Sequence, residues 1–334
     1  MTVTLPARIG LGTAPLGNMF RDVGEDEADA VLEAAWDAGV RYYDTAPFYG
    51  MGLAEQRLGR LLSARPRDSF TLSTKVGRVI TDDRREIGSS DEIFAHGRPN
   101  DFVYDYSADG VQRSLDDSLE RLGVDSVDIV YVHDIAQDFH GDGWLGAFES
   151  ARTGAFRALT RLREEGVIAG WGIGTNRVAP LELALGLEEA TPDVFLVAGS
   201  YSLLDHAAAL DRLMPQAAAQ GVQVVIGAPY SSGLLAGGDH FEYAPASDVA
   251  TARARLIAAV AAAHGVGVKA AALQFSLAHP ASRVVIPGTT RPERVPEDSR
   301  ALAEEVPAAF WADLRREGLV DPRAPLPQGA GAAS

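Results

Sequence analysis

Residues Arg41 to Lys75 read RYYDTAPFYGMGLAEQRLGRLLSARPRDSFTLSTK. A short run of strand formers, Arg41-Tyr42-Tyr43, ends at Asp44. A loop carrying Tyr49 follows, then a helix-like stretch, Leu53 to Leu62. A second extended run, Phe70 to Thr74, ends at Lys75. Strand, helix and strand in this order form one parallel crossover unit, which is right-handed in nearly all folds. The chemistry sits at the strand ends. A cation beside a phenol favours the phenolate, and an ordinary tyrosine titrates near pKa ~10, too high for neutral pH. Lys75 is therefore expected to lower Tyr49 into the range of a proton donor and acceptor. Asp44 is expected to neutralise and aim the lysine.

Outward from this unit the alternation continues. Helix-like stretches are Asp26 to Ala38, Val111 to Leu122, Ala155 to Glu165, Pro180 to Glu189, Ala207 to Gln220, Ala250 to His264, Lys269 to Ala278 and Pro292 to Glu304. Ser107 and Gly123 are the expected cap and stop of the second of these. Apolar extended runs are Arg8 to Leu16, Asp128 to Val132, Val167 to Ile173, Val194 to Ala198, Gln223 to Ile226 and Arg283 to Ile286. About eight strands separated by helices predict a (β/α)8 TIM barrel with its active site at the C-terminal face. We read residues 1–334 as one barrel domain, with a core of about 8–305 and a frayed tail, 307–334. Gly77 to Tyr106, Asp134 to Ser150 and Tyr230 to Asp248 read as long loops on the functional face. A doubly wound open sheet is the competing architecture, but no GxGxxG follows an early strand.

Composition narrows the function. The formal net charge of −16 argues against nucleic acid or an anionic membrane as partner. There is no cysteine, which removes thiol nucleophiles and disulfides. No apolar run approaches the ~20 residues of a membrane span, and the first residues lack a signal-peptide pattern. A cytoplasmic location is expected. The seven histidines show no HxxxH or HxH spacing with a carboxylate, so no metal is invoked.

A fourth residue joins Asp44, Tyr49 and Lys75: His133, at the end of DIVYV. Each alone has an ordinary structural explanation. Together, at the ends of consecutive strands, they converge in a barrel on one oxygen atom.

The chain resembles the aldo-keto reductase family. The resemblance rests on GVRYYDTAPFYGMGLAEQRLGRLL, STKVGR, DIVYVHD, WGIGTN and VVIPGTTRPERV, and runs from about residue 8 to about residue 305. The stretches GRVITDDRR and VYDYSADGVQRSLDDSLERLG resemble the sugar- and pyridoxal-oxidising branch. The resemblance implies Tyr49 as general acid and base, Lys75 with Asp44 as its tuning pair, and His133 as the group that orients the reacting oxygen. It implies a nicotinamide held over strands five to seven. Thr175 and Asn176 would hold its carboxamide and Tyr201 would stack on its ring, with Ala198 where many relatives have a glutamine. Pro229, Ser231, Gly233 and Leu234 would wrap the pyrophosphate. Gly288, Thr290, Arg291 and Arg294 would meet the adenosine end. Thr290 stands where many relatives have an arginine for the 2′-phosphate, so NAD or NADP stay open with a lean to NAD. Met19, Phe20, Phe48, His140 and Trp144 are the expected substrate contacts. The implied reaction is oxidation of an aldose of the L-fucose or D-threo type at C1 to the lactone. Within the class, an NADPH-dependent aldehyde or ketone reductase or a pyridoxal 4-dehydrogenase competes. From another class, a cofactor-binding regulatory subunit competes. Partners are a small carbohydrate or aldehyde only, and oligomeric state is open.

Overall fold

The structure, a computed structural model, describes residues 5–85, 93–241 and 244–327. Eight strands form one parallel sheet in chain order: Leu11–Gly12, Tyr42–Asp44, Thr71–Val76, Ile129–His133, Gly170–Thr175, Val194–Ala198, Gln223–Gly227 and Ser282–Ile286. The bridge between Ile9 and Val285 brings the last strand back to the first, with Gly10 N–H donating to Val285 O at 2.9 Å. The fold is a (β/α)8 barrel.

Two cores follow from the two-residue period of a strand. Tyr43, Val130, Val132, Trp171 and Ile173 point outward and pack under the helices. Tyr42, Ile129, Tyr131, Val194, Leu196, Val225, Val284 and Ile286 point inward and fill the barrel. Inside it, Tyr42 Oη lies 3.0 Å from Ser73 Oγ and 3.2 Å from Tyr131 Oη. These hydroxyls satisfy one another in a space closed to water, which removes the cost of burying them. The same parity carries Asp44, Lys75 and His133 into the barrel two residues above Tyr42, Ser73 and Tyr131.

The fifth strand spends its inward positions on Gly170, Gly172 and Gly174. A Cβ on Gly172 would stand 1.5 Å from Val194 O, and one on Gly174 would stand 3.4 Å from Lys75 Cε. Glycine is required at the first for strand approach, and at the second it leaves room for the lysine stem.

Several expectations are corrected. The segment after Lys75 is no plain loop: Arg78–Arg84 pairs antiparallel with Asn100–Tyr104. The next excursion carries a turn of helix, Gln137–His140, and the longer helix Trp144–Thr153. The expected helix from Ala207 to Gln220 breaks at Arg212, leaving Ala207–Asp211 and Leu213–Gln220. The tail is packed rather than frayed. Its helix Ala308–Arg316 buries Phe310, Trp311 and Leu314, and Leu319, Val320 and Ala324 are buried beyond it. Burying those apolar side chains outweighs the entropy that would free a terminus. Residues 328–334, the last of the tail, lie outside the described residues. The caps stand as expected: Ser107 Oγ accepts from Gly110 N–H at 3.0 Å, and Gly123 closes the helix at φ +62°. No single helix among the described residues is long and apolar enough to cross a membrane.

Candidate active site

At the C-terminal mouth, Lys75 Nζ donates to Asp44 Oδ2 at 2.6 Å and to Thr45 O at 2.9 Å. Ser73 Oγ donates to Asp44 Oδ1 at 2.7 Å. Each side chain of this pair is only 1–2 % exposed, so the salt bridge stands in low dielectric. Breaking such a pair by removing one partner costs about 3–5 kcal/mol. Burial pushes the Asp44 carboxyl up, opposed by Lys75 and Ser73. Tyr49 leans over the pair, with Lys75 Nζ 4.7 Å from its ring centroid. His133 stands edge-on to the same ring at 5.9 Å.

The expected lowering of Tyr49 is not what the structure shows. Its phenol is pushed well above the ordinary value by burial first, then by Asp44 and Asp134, with Arg78 opposing. The physical reason is burial, which disfavours the charged phenolate. The Asp44 carboxylate, paired with Lys75, adds to that rise. His133 is held neutral, well below the usual imidazole range, by burial and then by Arg78 and Lys75. In the protein alone, Tyr49 thus carries its proton and His133 carries no charge.

A cavity of about 60 Å³ is lined by Tyr49, Lys75, His133, Met19 and Phe48 from the predicted set, together with Phe94, Phe139 and Asp134. Thr175 and Asn176 form its far wall. It shares Ala14, Met19, Tyr49, Leu196 and Ala198 with a groove of about 430 Å³. That groove continues past Pro229, Ser232, Gly233, Gly288 and Thr290 to Arg21 and Arg294, with Phe20 on its rim. Its inner end sets Asp44 and Tyr49 among apolar side chains, and its outer end carries Arg21 and Arg294. That order fits a flat ring followed by a phosphate-bearing tail.

Not every expected contact lies there. Tyr201, placed on the nicotinamide by resemblance, is fully buried and stacks on Phe275 at 5.7 Å, lining neither space. Pro229, by contrast, does line the groove. Ser231 is buried and bonds Ser202 Oγ at 2.9 Å. Leu234 faces a neighbouring crevice between helices. The Arg291 side chain does not line the groove, and its N–H bonds Thr289 Oγ1 at 3.0 Å. His140 Nε2 is 2.9 Å from Tyr106 Oη and its ring packs on Tyr104. Trp144 opens its helix away from the cavity lining. In the Gln137–His140 turn it is Phe139 that reaches the cavity. Sequence reading missed Asp134, Phe94, Phe139 and Arg21. The HD dipeptide was the one available signal, since Asp134 directly follows His133.

The chain matches the Aldo/keto reductase family over residues 8–316 and belongs to that family. It is accordingly an NAD(P)-dependent oxidoreductase. It is 40% identical to a pyridoxal 4-dehydrogenase of Microbacterium luteolum over 333 residues, covering 96% of this chain and 95% of that one. It is 39% identical to a D-threo-aldose 1-dehydrogenase of a Pseudomonas species over 327 residues, covering 95% of each. Among solved structures, an aldo-keto reductase of Bacillus halodurans superposes with a TM-score of 0.65 at 24% identity, covering 94% of this chain and 92% of that one. That likeness supports the fold alone.

Proposed function

We propose that this protein oxidises a cyclic hemiacetal to a lactone, with an aldose of the L-fucose type as substrate. The observation that carries this reading is the meeting of Tyr49, Lys75 and His133 in one small cavity, with Asp44, bound to Lys75, lining the groove that it opens into. Two of the relatives are named for aldose and pyridoxal oxidation. Pyridoxal closes its aldehyde onto its own hydroxymethyl group, so both substrates present a ring hemiacetal carbon. This shared carbon favours pyridoxal as the second reading. The groove residues would hold a nicotinamide dinucleotide, which would supply the acceptor for the hydride leaving that carbon. Tyr49 handles the proton at Oη, taking it from the anomeric hydroxyl as a phenolate or returning it to a carbonyl as a phenol. Lys75 favours the phenolate, and His133 orients the reacting oxygen. Thr175 and Asn176 would hold the nicotinamide's carboxamide, and Pro229, Gly233 and Gly288 would face its phosphates.

In this reading the coenzyme is NAD. Thr290 is neutral, and its hydroxyl already accepts from Arg21 Nη2 at 2.6 Å. Arg21 is itself paired with Glu27, whose carboxylate offsets the cation that a 2′-phosphate would seek.

Absorbance of reduced nicotinamide, followed with NAD or NADP and L-fucose, D-arabinose, L-galactose or pyridoxal, tests the reading. Reduction of coenzyme by a sugar is expected. Tyr49→Phe should still bind coenzyme but lose about 10²–10⁴-fold in turnover. No turnover of any of these substrates by the wild type would favour a regulatory role, and near-normal turnover by the variant would unseat Tyr49.

A further inference from the structure

Asp134 is placed where a structural aspartate would be costly. It directly follows the fourth strand, and its backbone stands at φ +51°, in the left-handed region. Aspartate tolerates that region better than most residues, yet it is uncommon there. The turn is pinned on both sides. Asp134 N–H donates to Gly174 O at 2.8 Å, and Tyr106 Oη donates to His133 O at 3.1 Å. Asp134 thereby lines the cavity that holds Tyr49, Lys75 and His133.

Its own surroundings are equally specific. Oδ2 accepts from Arg78 Nη2 at 2.7 Å and lies 3.2 Å from His133 Nε2. Both contacts fall on Oδ2; among the described residues none donates to Oδ1. Arg78 is 1 % exposed, with its guanidinium 3.8 Å from the Phe48 ring centroid and 4.2 Å from that of Phe139. Its Nε and Nη1 are buried without a partner among the described residues. A buried arginine between aromatic rings is a rigid mount. It reaches its place because Gly77, at φ +100°, turns the chain where a Cβ would collide with the Tyr106 ring at 2.3 Å. Burial nevertheless raises the Asp134 carboxyl, so the ionised acid is held in place against its own desolvation. Strain and desolvation together, in a substrate cavity, point to function.

We propose that Asp134 recognises substrate: its carboxylate accepts a hydrogen bond from a hydroxyl flanking the hemiacetal carbon, and so selects hydroxylated hemiacetals over plain aldehydes. This rests on the hemiacetal reading above. Two substrates carry that chemistry, the C2 hydroxyl of an aldose and the ring hydroxyl of pyridoxal. A carboxylate serves either, because it accepts only, and each hydroxyl can donate. Arg78 positions Asp134 and does not itself line the cavity.

The test compares matched substrates at saturating coenzyme. D-Arabinose and 2-deoxy-D-ribose differ only at C2. Pyridoxal is compared with its analogue lacking the ring hydroxyl. Wild-type kcat/KM should favour the hydroxylated member of one pair by roughly 10- to 100-fold, the value of a hydrogen bond to a charged group. The pair that shows the preference identifies the source. In Asp134→Asn that ratio should fall to within about threefold, mainly through the hydroxylated substrate. Wild-type protein that oxidises both members of each pair equally overturns the proposal without any variant. So does an Asp134→Asn protein that loses activity equally on both members, since Asp134 would then act only through His133 or the fold. Oxidation of no hemiacetal at all, with reduction of simple aldehydes intact, would instead overturn the functional reading itself.

Discussion

Asp134 and Tyr49 both carry pKa shifts set by burial, but their consequences differ. Tyr49 keeps its proton because burial disfavours the phenolate, with the Asp44 and Asp134 carboxylates adding to the rise. Asp134 is pushed up to about 6 by burial, with Arg78 and Lys75 opposing and Asp138 assisting the rise. His133, in contact with it, stays neutral. The carboxylate is the accepting form, so recognition of a flanking hydroxyl is present above that value and lost below it. The kcat/KM for the preferred substrate should therefore show an acid limb near pH 6 that is absent from Asp134→Asn. A profile with the same limb in both proteins would assign it elsewhere. The sign for stability is opposite. A carboxyl raised above its unfolded value of ~3.9 favours the fold at low pH, and that contribution is lost as pH rises through about 6. At neutral pH the residue is ionised for its task at the expense of the fold.

At the level of elements, the barrel depends on how closely its fifth and sixth strands run. Gly172 has Val194 O where any side chain would begin, at 1.5 Å from an added Cβ. Gly172→Ala must therefore move backbone rather than a flexible side chain. We expect a loss of about 3 kcal/mol or more, at the upper end of overpacking costs, read as a lower denaturant midpoint. Unchanged stability would mean that the strands separate freely. The excursions beyond the strand ends matter equally. The hairpin of Arg78–Arg84 with Asn100–Tyr104 and the turn Gln137–His140 carry Phe102 and Phe139 to the Arg78 guanidinium. Read in sequence, both segments are short and mix polar with apolar residues, with no sustained period of 2 or 3.6. Their structure comes from long-range pairing that a local pattern does not encode.

For the molecule as a whole, the C-terminal helix joins the main core rather than trailing from it. Trp311 is 2 % exposed and packs edge-on to Phe310 at 4.9 Å. Trp311→Ala should cost about 3–5 kcal/mol of unfolding free energy. It should leave kcat of the folded enzyme near its normal value, because no residue of this helix lines the cavity or the groove. A denaturation curve identical to wild type would restore the frayed tail.

By itself the amino-acid order determined the alternation of strands and helices, and with it the inward parity of Asp44, Lys75 and His133. Those are local properties: a period of two along a strand fixes which face a side chain takes, whatever the distant chain does. The same order pointed to the cavity through Thr175 and Asn176 and to the groove through Pro229, Gly288 and Arg294. Only the tertiary structure decided that Tyr201 is packed against Phe275 behind the groove, that Thr290 is engaged by Arg21, and that Arg78 holds Asp134 in the cavity. Each of these depends on segments far apart in sequence folding over the barrel mouth, where distance along the chain carries no information about which side chain faces the substrate.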